Sequence, residues 1–144
     1  MKMIISASQD HLPEILNIER KSFAKPWTEY HFKSDLNNKI AVNWVYQNEK
    51  LVVGYLFGWK VMDEYHINNI AVSEDCRGNG IGIKLLENML VYLNELKVKS
   101  VFLEVSSSNL PARKLYEKIG FIPQGERKDY YTKGDDAVLY TLEF

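Results

Sequence analysis

One cysteine, Cys76, stands among 144 residues. A lone thiol cannot build an internal disulfide framework, so a reducing, cytoplasmic setting is expected. No apolar run is long enough to span a bilayer. The apolar part of Met1–Ser6 is too short for a secretory signal. No cluster of Lys and Arg makes a nucleic-acid footprint, and a formal net charge of −1 gives no electrostatic case for one. Repeats, linkers and low-complexity tracts are missing as well. These absences leave neither a nucleic-acid nor a membrane partner. With 46% hydrophobic and 26% charged residues, the chain is expected to form one soluble domain over residues 1–144 with a real core.

Periodicity divides that domain into elements. Lys2 to Ser6 reads as a strand, and a helix follows from about Ser8 to Ser22, carrying Leu12, Ile15, Leu16, Ile18 and Glu19. Pro13 is tolerated in its first turns. After the loop Phe23–Trp27, Thr28 caps a short helix to about Leu36. Ile40 to Gln47 and Leu51 to about Val61 form a hairpin across Asn48-Glu49-Lys50, and Tyr65 to Val72 is the next strand. A long helix ends near Lys97, Val101 to Val105 is a buried-looking strand, and Asn109 to Ile119 is a helix stopped by Gly120. Phe121 to Tyr131 and Ala137 to Phe144 make a last hairpin. The order βααβββαβαββ predicts an α/β domain with a mixed, mostly antiparallel sheet of about seven strands and about four helices.

The richest segment is Asp75-Cys76-Arg77-Gly78-Asn79-Gly80-Ile81-Gly82, set between the strand ending at Val72 and the long helix. Glycines there bring backbone N–H groups close to a ligand, and the helix start favours an anion. The first turn, Ile81 to Lys84, has no Asp or Glu of its own to occupy that end. A phosphate-binding P-loop requires Lys followed by Ser or Thr after the last glycine, and Gly82-Ile83-Lys84-Leu85 lacks it. A dinucleotide fingerprint requires two residues between its second and third glycines, and Gly80-Ile81-Gly82 has one.

Arg77-x-x-Gly80-x-Gly82 after Asn69-Ile70-Ala71-Val72 closely resembles the coenzyme A pyrophosphate loop of the Gcn5-related N-acetyltransferase (GNAT) superfamily. Asn109 to Phe121 resembles that family's later motif, Asn-x-x-Ala-x-x-Leu-Tyr-x-x-x-Gly-Phe, in the expected order with a strand between. The segments Phe23–Thr28, Leu103-Glu104-Val105 and Arg127–Tyr131 resemble in particular the RimI-type ribosomal-protein N-terminal acetyltransferases. Two positions depart from that pattern: Cys76, where an aromatic is common, and Ser106, where arginine often follows the Glu-Val pair.

The resemblance implies acetyl-CoA as cosubstrate, no metal, and the N-terminus of a small-subunit ribosomal protein as partner. It implies that Ile70, Ala71 and Val72 pair their backbone with the pantetheine arm, with the Val72 N–H facing the thioester oxygen. Arg77, Gly78, Asn79, Gly80, Ile81 and Gly82 would hold the pyrophosphate, and Asn109 would touch the cofactor as well as cap its helix. Pro26, Trp27, Tyr130 and Tyr131 would wall the acceptor groove, although core packing explains aromatics equally well.

Glu104 interrupts an otherwise buried-looking strand. Burial without a cation would raise its pKa toward neutrality and make it a general base; a strand end with the carboxylate in water is the alternative. The resemblance favours the base. Tyr116 packs by spacing with Leu115 and Ile119, while the resemblance makes it the general acid for the departing thiolate. Glu64 and His66 are rival bases, and an acetyl-Cys76 intermediate is a remote rival. An α-amine ionises about 2.5 units below lysine, about 3.4 kcal/mol less to deprotonate at neutral pH, so one modest base suits an α-amine. A lysine or small-amine acetyltransferase and a non-catalytic coenzyme A-binding domain remain the other readings.

Overall fold

Apolar spacing decides where each element lies in the computed structural model, which describes residues 1–144. The strands are β1 (Lys2–Ser6), β2 (Ala41–Asn48), β3 (Leu51–Val61), β4 (Glu64–Val72), β5 (Ser100–Ser106), β6 (Ile122–Thr132) and β7 (Asp135–Glu143). The helices are α1 (Leu12–Ser22), α2 (Glu29–Leu36), α3 (Ile81–Glu95) and α4 (Leu110–Ile119). Element order and type agree with the sequence reading. Differences lie at the ends. A 3-10 turn over Gln9–His11 precedes α1, which starts at Leu12 with Pro13 in its first turn. The long helix stops at Glu95, and Lys97 turns to φ 62°, outside helical space.

All seven strands form one sheet in the order β1-β2-β3-β4-β5-β7-β6. Every pairing is antiparallel except β4 with β5. That parallel contact has three rungs, Glu64↔Ser100, Tyr65↔Val101 and His66↔Phe102, and then stops. Beyond it β4 stays with β3 as far as Val72, and β5 stays with β7 as far as Ser106. The sheet therefore opens as a wedge in its middle.

Directly after the last rung, β4 carries an extra residue. Ile67 opposes Gly58 and Asn69 opposes Phe57, so Asn68 is unpaired. Such a bulge bends its strand and increases its twist, which turns β4 away from β5. It also resets the alternation. Tyr65 and Ile67 join the larger core with α3 and α4, whereas Ala71 joins the smaller core with α1 and α2. Ile70 and Val72 then pack toward the larger core.

That larger core takes Leu85, Leu86, Met89 and Leu93 of α3 against Val101, Leu103 and Val105 of β5. The smaller one sets Leu12, Ile15, Leu16 and Ile18 of α1 and Phe32 of α2 against Val45, Tyr55 and Phe57. Gly58 is required by a close approach. A Cβ there would lie 2.3 Å from the Tyr65 hydroxyl, which crosses the sheet to bond the Val42 carbonyl at 2.6 Å.

Candidate active site

Strand alternation puts Val101, Leu103 and Val105 into the core and therefore turns Phe102, Glu104 and Ser106 to the opposite face. Helices α1 and α2 cover that face only over β2 to β4, so the remainder is a cleft of about 730 Å³. Both lips of the wedge reach it, Ile67 and Asn68 from β4 and Leu103 and Glu104 from β5. Trp27, His66, Tyr130 and Tyr131 line it with Glu104, so five of the residues singled out from the sequence meet here. Pro26 does not. It is exposed and outside the cleft, because the loop turns only the Trp27 side chain inward, onto His31, Phe32 and Phe57.

Of the two surroundings the sequence allowed for Glu104, the structure shows the water-facing one. Its side chain is 31% exposed rather than buried, and the Arg127 guanidinium lies 3.7 Å away. A desolvated carboxylate without a cation is therefore not what the fold provides. The reason is the face it occupies, an uncovered one. Glu104 also acts on the two phenols beside it. Its hydrogen bond holds the Tyr130 pKa above the ordinary value. Burial first, and then the Glu104 charge, push Tyr131 up to about 12.

Tyr130 and Tyr131 come from an arch the sequence does not announce. Arg127 opposes Ala137 and Thr132 opposes Asp135, so residues 128–131 bow out of the ladder. Asp129 sits at φ 54° and is pinned twice: its N–H donates to Asp136 Oδ1 at 2.8 Å, and its Oδ1 accepts from the Gly134 N–H at 2.6 Å. Ser106, where arginine was expected, hydrogen-bonds Asp135 in the same hairpin.

Tyr116 is buried on α4, its ring 5.9 Å from Phe121 and 6.1 Å from Tyr140. Burial pushes its pKa above the usual phenol value, with the neighbouring Tyr131 adding to the shift. The phenol keeps its proton at neutral pH. Asn109 caps α4, its side-chain oxygen accepting from the Ala112 N–H at 3.3 Å. The rival bases hold each other, His66 Nε2 lying 3.2 Å from Glu64 Oε1 while the imidazole stacks on Phe102 at 5.1 Å.

On the wedge side, the backbone of β4 is open. Ser73 donates its N–H to Val53, toward β3, at 2.7 Å. Successive amides of a strand alternate, so the Val72 N–H points the other way, into the wedge. Arg77 bonds the Val72 carbonyl through Nε at 3.1 Å and reaches Ser22 at 3.2 Å, tying β4 to α1.

Gly78 at φ 84° and Gly80 at φ 76° have nothing within 4 Å of where a Cβ would stand. Gly80 caps α3 without a side chain, and the first turn has no acidic residue. The unpartnered amides of that turn suit a pyrophosphate such as that of acetyl-CoA. Gly82 serves packing instead, since a Cβ there would lie 3.2 Å from Leu115. Cys76 is half-buried against the larger core.

One charged residue of the site region was not nominated by sequence reasoning. Glu19 on α1 is buried and accepts from the Tyr55 hydroxyl at 2.6 Å, the Asn69 side chain at 2.8 Å and the Trp27 N–H at 2.9 Å. Burial, reinforced by the Glu19 carboxylate, keeps the Tyr55 phenol far above its ordinary pKa. The available signal was its place at i+7 of the stripe Leu12, Ile15, Leu16, where a core residue is due.

Residues 12–121 match the Acetyltransferase (GNAT) family model. The chain is 34% identical over 145 residues to the [ribosomal protein bS18]-alanine N-acetyltransferase of Escherichia coli (strain K12), covering 99% of this chain and 97% of that one. The crystal structure of the ribosomal-protein-S18-alanine N-acetyltransferase from Escherichia coli superposes with a TM-score of 0.93 at 32% identity, covering 99% of this chain and 94% of that one. Ard1 from Thermoplasma volcanium gives 0.92 at 26% identity, covering 99% and 97%.

Proposed function

The chain belongs to the acetyltransferase (GNAT) family, and from that premise we propose that it acetylates the N-terminal α-amine of a small-subunit ribosomal protein in the cytoplasm, using residues 1–144 as one catalytic domain. The family's acyl donor is acetyl-CoA. The observation that carries the reading is the meeting of the wedge with the aromatic cleft: Ile67 and Leu103 stand at its lips, and Glu104, Trp27, Tyr130 and Tyr131 line the space in front. A cleft leading to an open strand edge admits a chain end. The name of the full-length Escherichia coli relative supports the ribosomal acceptor.

Acetyl-CoA supplies the thioester carbonyl that the amine attacks, the C–N bond forming as the C–S bond breaks. The Val72 N–H donates to the carbonyl oxygen as charge develops on it. Glu104 accepts the proton released by the amine, directly or through a water, with Arg127 holding the carboxylate. Tyr116, kept protonated by burial, donates to the leaving sulfur, and the proton on Glu104 returns through water to restore the phenol. Arg77, Gly78, Asn79, Gly80, Ile81 and Gly82 would hold the pyrophosphate by backbone and side chain, and Ile70, Ala71 and Asn109 the pantetheine arm.

The test is incubation with acetyl-CoA and peptides that offer both a free N-terminus and an internal lysine, with fragmentation mass spectrometry locating the label. Acetyl on the α-amine is expected, most rapidly on ribosomal-protein N-termini. Label confined to lysine would replace the acceptor. No turnover on any amine would point to a coenzyme A-binding domain without catalysis.

A further inference from the structure

Glu19 is 1% exposed and takes part in none of the chain's ion pairs. A sealed, uncompensated carboxylate is unfavourable unless hydrogen bonds satisfy it. Here three donors from three other segments converge. Oε1 accepts from Tyr55 of β3 and Asn69 of β4, and Oε2 from the backbone of Trp27. Two of those segments are held without it, since β3 and β4 are paired from Gly54↔Val72 to Val61↔Glu64. The third is not. Residues 23–28 belong to no helix or strand, and the Trp27 N–H has Glu19 as its acceptor.

We infer that Glu19 is a positioning residue for the acceptor groove: it fixes the loop that carries Trp27 against β4, and so sets the width of the cleft for the incoming N-terminus. The inference rests on the proposed acceptor reading. Its chemistry singles out one substitution. Glutamine has one accepting oxygen, and the Oε1 position, with two donors, is the better place for it. The amide NH2 of Glu19→Gln then faces the Trp27 N–H, donor against donor, so this variant releases the loop while keeping Tyr55 and Asn69 bonded.

Steady-state kinetics of Glu19→Gln on a peptide that the wild type acetylates should show peptide KM raised at least about tenfold, the scale of one lost hydrogen bond to a charged group. The kcat and the acetyl-CoA Kd, read by calorimetry, should stay within about twofold, because uniform binding of the peptide alone has changed. Hydrogen exchange at the Trp27 amide should quicken. Tyr55→Phe removes a donor from the β3 side and should lower Tm while leaving peptide KM within about twofold. A folded Glu19→Gln protein with unchanged peptide KM overturns the inference, and so does equal damage to peptide KM and acetyl-CoA Kd. A wild-type chain inactive on every N-terminal amine overturns the proposed acceptor instead. Trp27 exchange then decides the Glu19 role, and an unchanged rate in Glu19→Gln overturns it.

Discussion

The same face of one sheet is built in two ways on either side of the wedge. Over β2 to β4 it is roofed by α1 and α2, with Ile15, Phe32, Tyr55 and Phe57 fully buried. Over β5, β7 and β6 it has no roof, and β6 is exposed along its whole length. The roofed half seals one carboxylate, Glu19, among three donors. The open half holds its carboxylate, Glu104, in contact with water and with one cation. On the proposed mechanism, the group that exchanges protons with a substrate stands where solvent and substrate reach it, and the rigidity it relies on comes from the neighbouring half.

If that division of labour holds, substitutions in the two halves should separate turnover from stability. The largest effect is expected for Glu104→Gln: kcat for peptide acetylation should fall by about 10²–10⁴, the range for loss of a general base. Its thermal unfolding curve should stay in place, and a near-normal rate would move the base to Glu64, His66 or a water chain. Ile15→Ala in the roofed half should do the opposite. Denaturant unfolding should show about 2–5 kcal/mol less stability, with kcat/KM of the folded enzyme unchanged.

A smaller effect is expected for Asp136→Ala, which unpins Asp129 and loosens the arch carrying Tyr130 and Tyr131. Peptide KM should rise by at most roughly tenfold, with kcat nearly constant. The smallest is alkaline. A free tyrosine ionises near 10, whereas Tyr131 in the fold holds its proton to about 12. The unfolded chain loses the proton first, so stability present below about pH 10 drains away as pH rises toward 12. Tyr55 lies deeper and is shifted the same way by burial and then by Glu19. Measured as Tm against pH, Tyr55→Phe should flatten the alkaline decline more than Tyr131→Phe.

Local physics was legible in the sequence. Thr28 caps α2 and accepts from His31 at 3.1 Å, and Asn109 caps α4, as their types and spacing indicate. Strand alternation already set Glu104 opposite Leu103 and Val105. Whether the face it joins is roofed depends on where α1 and α2 come to lie, which is a long-range matter, so the sequence left burial and water both open for it. The wedge was illegible for the same reason: it is a pairing that stops. Asn68 and the arch at 128–131 are extra residues in otherwise plausible strands, and periodicity over a short window absorbs one such residue without trace. Glu19 was visible as a charge on an apolar stripe, but its donors lie at positions 27, 55 and 69, which no spacing rule connects.

Asn68 carries a further consequence. Removing it would leave Ile67 opposite Gly58 and Asn69 opposite Phe57, every rung to β3 intact and every side chain on its present face. The shortened strand would lose its bend and could run on beside β5, adding rungs after His66↔Phe102. By the standards of a fold, the deletion is a repair. By the standards of a catalyst it fills the gap where the reaction would take place, so what Asn68 supplies is a flaw in the weave.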